Sequence, residues 1–90
     1  MRAIQALVHG RVQGVFFRAY TRDKANQLGL IGWVRNNLDG TVECHAQGAD
    51  QAIEEFVRFL HRGSPSAHVD NVAVINVPVD STLRDFRITY

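Results

Sequence analysis

Within His9-Gly10-Arg11-Val12-Gln13-Gly14-Val15-Phe16-Phe17-Arg18, two arginines and two glycines lie between an apolar, strand-like run and a helix-like one. Glycine lets the backbone curl so that successive N–H groups point inward, and such a concavity binds anions. A helix that follows adds unpaired N–H groups and the positive end of its dipole. Arg18 falls in the first turn of that helix, where its guanidinium can fork onto a phosphate or carboxylate. A lone arginine is ordinarily a solvated helix residue. Directly after a two-glycine loop, it reads as part of an oxyanion cradle.

Asn36 is the second residue whose chemistry stands out. The Asn37-Leu38-Asp39-Gly40 segment after it makes a turn role natural; the alternative is a carboxamide that holds a water or a substrate oxygen. Arg11 can touch an anion or be plain surface. Tyr20 and Trp33 read as packing residues that could line a cleft. The four histidines, His9, His45, His61 and His68, show no metal-ligand spacing, and Cys44 offers them no partner. His45 reads as strand surface, His61 as a cation at a helix end, and Cys44 as a small core residue. No nucleophile stands beside a base, so a mechanism free of metal, cofactor and covalent intermediate is expected. The loop lacks the Gly-Lys-Ser/Thr ending of a nucleotide P-loop and the spacing of a dinucleotide fingerprint.

The elements that must position these residues are legible from periodicity. Ala3 to Val8 alternate as a strand, with Ile4, Ala6 and Val8 on one face. Phe17 to Leu28 turn helical, with Gly29 suited to the C-cap. Leu30 to Asn36 and Thr41 to Gln47 form a hairpin about the Asp39-Gly40 pair, with Val42, Cys44 and Ala46 inward and Thr41, Glu43, His45 and Gln47 outward. A second helix is expected from an Asp50 cap, with the stripe Ile53, Phe56, Val57 and Leu60, ended by Gly63 and Pro65. A Val-rich strand, Val69 to Val79, is interrupted by Pro78 and placed at a sheet edge. Phe86 to Tyr90 close the chain.

This order predicts an α+β, ferredoxin-like β-α-β-β-α-β sandwich: an antiparallel sheet, two helices on one face and a short terminal strand. Strands one and two then run parallel with the hairpin partner between them, so their C-terminal ends emerge on one edge about 10 Å apart. Arg18 and Asn36 can therefore converge on one small ligand.

With 90 residues, 46% apolar and 21% charged, the chain suits one soluble domain spanning residues 1–90. A net charge of +1 argues against salt-driven nucleic-acid binding. An RNA-recognition sheet shares the topology but needs exposed aromatics on its central strands, and little beyond Trp33 is available. The lone Cys44, with no span-length apolar run and no signal peptide, points to a cytoplasmic protein with no membrane partner. A monomer is expected.

Val8 to Arg18 resembles the acylphosphatase signature Gly-x-Val-Gln-Gly-Val-x-Phe-Arg. Gly29 to Asn36, followed by Asp39-Gly40-Thr41-Val42, is similar to that family's second signature, Gly-Trp-Val-x-Asn then Gly-x-Val. Gly63-Ser64-Pro65-Ser66 and Phe86 to Tyr90 also look familial, so the resemblance covers essentially the whole chain. It implies hydrolysis of the carboxyl–phosphate anhydride of acyl phosphates to a carboxylate and inorganic phosphate. It further implies that Arg18 binds the phosphoryl group together with the loop Gly10, Arg11, Val12, Gln13, Gly14, Val15, Phe16 and Phe17, and that Asn36 orients the attacking water. Asn37 stands where many relatives carry Thr. A phosphate-sensing module and the acylphosphatase-like domain of a larger carbamoyl-transfer protein are the alternatives. The absence of a linker before Tyr90 favours a stand-alone enzyme.

Overall fold

The computed structural model describes residues 1–90. Its elements are β1 (Arg2–Arg11), α1 (Phe17–Gln27), β2 (Ile31–Asn36), β3 (Val42–Gly48), α2 (Asp50–Leu60), β4 (His68–Val77) and β5 (Phe86–Thr89). The sheet order is β4-β1-β3-β2-β5. The first four strands in that order are antiparallel neighbours, but β5 joins β2 in parallel. The expected antiparallel sheet is present in four strands, and the short terminal strand makes the whole sheet mixed. Residues 78–85 carry the chain from the β4 edge to the opposite edge, where β5 enters running in the same direction as β2.

The strand alternation sets the core. Val74, Ala6, Cys44, Val34 and Ile88 pair in one row across all five strands. Phe17, Thr21 and Ala25 of α1 and Ile53, Phe56 and Leu60 of α2 are buried on the same side. Burying each of the larger apolar side chains is worth about 2–3 kcal/mol, so this layer holds the fold together. Cys44 lies fully within it.

Three sequence expectations are corrected at this level. His45 faces away from the helices as foreseen, yet it is only 7% exposed, and Gln47 is 2%. The β4–β5 connection folds over them: Gln47 donates through Nε2 to the Asp80 carbonyl and accepts the Asp80 N–H, each at 2.9 Å. His45 Nε2 lies 2.8 Å from the same Gln47 Oε1, so it carries the hydrogen, and its ring stacks on Trp33. Asp50 is the first residue of α2 and not its cap; that position belongs to Ala49, whose extended backbone (φ −63°, ψ 146°) starts the helix without a side-chain bond. β4 does lie at an edge, but it stops at Val77, and Pro78, with no N–H to offer, follows it.

Candidate active site

The two glycines of the first loop do different work. Gly10 remains in β1 at an irregularity in the β1–β4 register, and a Cβ there would come within 2.2 Å of the His68 carbonyl oxygen. It is required by the close approach of β4. Gly14 has open space around it but a φ of +74°, and Phe16 also takes the left-handed conformation at φ 61°. A non-glycine residue there is strained by about 1–3 kcal/mol. These two turns curl Val12 to Phe17 into a concave loop that ends on the N-terminus of α1. Twelve backbone hydrogen bonds lie outside the regular elements, and no residue from Val12 to Ala19 donates any of them. The N–H groups of this loop thus have no backbone acceptor within the chain.

The start of α1 differs from that of α2 in a telling way. α2 carries Asp50 in its first turn and Arg58 in its last, as the helix dipole favours. α1, which like α2 has no capping side chain, has no acidic residue in its first turn; it has Arg18 instead. Arg18 is half-buried, makes no ion pair or side-chain hydrogen bond, and lies with its guanidinium carbon 5.0 Å from the centre of the Tyr90 ring. A cation thus stands at the positive helix end without a negative partner in the chain.

Val12, Gly14, Phe16, Phe17, Arg18 and Ala19 line a cleft of about 280 Å³ together with Asn36, Ile88 and Tyr90. Asn36 ends β2, and its Oδ1 is buried without a hydrogen-bond partner. Four buried side-chain atoms in the chain lack partners, and this is the one that belongs to the cleft. Such an atom costs about 1–3 kcal/mol unless something fills the site. Arg18 and Asn36 therefore come together as the topology required. No carboxylate, imidazole or thiol side chain is in the lining.

The remaining expected residues are distributed around this cleft. Val15 is buried beneath the loop. Gly10 and Arg11 pair with Val69 and His68 in the sheet, and Arg11 is exposed outside the lining. The Gln13 side chain turns away, donating to the carbonyls of Asn37 at 2.7 Å and Thr41 at 2.9 Å. Asn37 itself donates to Thr41 Oγ1 at 3.0 Å within the hairpin. Trp33 lies on the far face of the sheet against His45, and Tyr20 borders a different depression beside Gly63 to Val69. Ile88 and Tyr90 were not anticipated; the parallel β5–β2 pairing brings them to the cleft, and no local signal in the sequence announces it.

The family model for acylphosphatase matches residues 4–88. The chain belongs to the acylphosphatase family. An acylphosphatase of Rubrobacter xylanophilus is 45% identical over 97% of this chain and 79% of its own. The crystal structure of acylphosphatase from Bacillus subtilis superposes with a TM-score of 0.96 at 37% identity, covering 100% of both chains. Full-length HypF in its phosphate- and nucleotide-bound form contains a similar domain: TM-score 0.85 and 34% identity over 99% of this chain but 12% of that one. The ferredoxin-like α+β fold and acylphosphatase activity follow from these relationships, so the chain is a hydrolase of acyl phosphates.

Proposed function

We propose that the cleft cleaves the phosphorus–oxygen bond of an acyl phosphate by in-line attack of water, without a metal or a covalent intermediate. The phosphoryl group lies in the Val12 to Phe17 loop on its inward N–H groups, with the Arg18 guanidinium forked onto its oxygens. The leaving group is a carboxylate of low pKa, so it departs without strong acid catalysis. What accelerates such a reaction is fixed positive charge and an aligned nucleophile. Asn36 holds the water through its carboxamide. A neutral amide is a poor base, so the water's proton passes to a phosphoryl oxygen of the substrate.

The observation that carries this reading is the pairing, in one cleft, of an uncompensated Arg18 with a partnerless Asn36 Oδ1. The lining residues also supply no side chain suited to act as nucleophile and base together. Benzoyl phosphate hydrolysis in EDTA tests it. Wild type should turn over, Arg18→Gln should lose both turnover and inorganic-phosphate inhibition, and Asn36→Ala should keep that inhibition while losing most of kcat. Equal loss of phosphate affinity in the two variants would refute the division of roles, and binding without turnover by wild type would make the domain a phosphate-binding module.

A further inference from the structure

Gln13 sits between two residues that line the cleft, Val12 and Gly14, yet its own side chain leaves the cleft and reaches the β2–β3 hairpin. Its Nε2 donates to two carbonyls, those of Asn37 and Thr41, which lie 24 and 28 residues further along the chain. The hairpin does not need these bonds to close. The Asn37 N–H already donates to the Thr41 carbonyl at 2.9 Å, and the Gly40 N–H to the Asn37 carbonyl at 3.2 Å. Thr41 and Asp39 add their own bonds inside the turn. Both carbonyls therefore keep a partner if Gln13 is removed. What is lost is the one side-chain tie between the phosphate loop and the segment that begins one residue after Asn36.

We propose that Gln13 is a positioning residue: its amide fixes the phosphate loop relative to the Asn36 carboxamide, and so sets the line along which water meets phosphorus. This rests on the roles assigned above to the loop and to Asn36. The two groups come from different elements, the loop after β1 and the end of β2, with β3 between those strands in the sheet. In-line attack tolerates little error in their separation; a misplacement of about 1 Å can cost on the order of 100-fold in rate. The main-chain N–H of residue 13 stays in the cradle whatever the side chain, so phosphate binding and water alignment are separable at this position.

The test is a double-mutant cycle on benzoyl phosphate hydrolysis, with inorganic-phosphate inhibition measured in parallel and folding checked by circular dichroism. Gln13→Met keeps the length of the side chain and removes its donors; Gln13→Asn keeps the amide but falls one methylene short of the hairpin. Each should lower kcat on the order of 10- to 100-fold with the phosphate inhibition constant changed by less than about twofold. In an Asn36→Ala background, Gln13→Met should cause almost no further loss, because the group it aligns has gone. Phosphate affinity falling in step with kcat, or an equal loss from Gln13→Met in both backgrounds, would overturn the proposal. So would a Gln13→Asn variant with full kcat. An Asn36→Ala enzyme as active as wild type is a different failure: it would remove the role of Asn36, and the proposal with it, whatever Gln13 does.

Discussion

Arg18 occupies a position that helix electrostatics disfavours by about 0.3–1 kcal/mol, since it adds positive charge where the dipole is already positive. Its ring contact with Tyr90 offsets a similar amount, about 0.5–1 kcal/mol at an exposed site. Arg18→Ala should therefore leave urea-unfolding stability within about 1 kcal/mol of wild type while removing phosphate affinity; a large loss of stability would mean that Arg18 is structural. Cys44 is the opposite kind of residue. Burial pushes its thiol up to about 12, so almost no thiolate exists at neutral pH. Alkylation of the native protein at pH 8 should proceed only as fast as the chain opens, with rapid labelling in denaturant; fast native labelling would contradict its place in the core. The Arg18 position was legible from its loop. The left-handed Phe16 was not, because an aromatic residue gives no sign that it will adopt a positive φ.

At the scale of elements, boundaries followed periodicity closely for α1 and α2, since each buries one regular face, whereas β1 runs three residues past the expected Val8, to Arg11. The failures came from contacts between distant segments. His45 and Gln47 alternate like surface residues, and only the β4–β5 connection closing over them makes them buried. Two turns share a local device that spacing could have revealed. Asp39 accepts from Thr41 Oγ1 at 2.6 Å and from its N–H at 3.0 Å, and Asp80 does the same with Thr82 at 2.6 and 2.9 Å. The threonine side-chain bond, then the backbone bond, holds each carboxyl below its ordinary 3.8. A carboxyl lowered on folding contributes stability that is present above its unfolded pKa and lost as pH falls through the folded one. Asp39→Asn/Asp80→Asn keeps an acceptor but not the charge. This variant should lose less stability than wild type between pH 7 and pH values below 3.8, read by urea unfolding at each pH. Identical losses would show that the turns do not contribute to the acid sensitivity.

At the scale of the whole molecule, the fold brings three separate segments to one cleft: the loop after β1, the end of β2, and Ile88 of β5 with Tyr90 just beyond it. The first two were foreseeable, because a β-α-β unit with an intervening strand sets the parallel strand ends on one edge. The third depended on a parallel pairing across residues 78–85, which no local pattern encodes. The family signatures supplied the reaction; the geometry is consistent with it, in a cleft that holds an unpaired arginine and a partnerless carboxamide. The central claim is that water held at Asn36 attacks phosphorus. It is tested most directly by hydrolysing benzoyl phosphate in ¹⁸O-enriched water under enzyme catalysis and locating the label by mass spectrometry. The account predicts ¹⁸O in inorganic phosphate and none in benzoate. Label in benzoate would mean attack at the acyl carbon, and would contradict the roles given to the loop, Arg18 and Asn36.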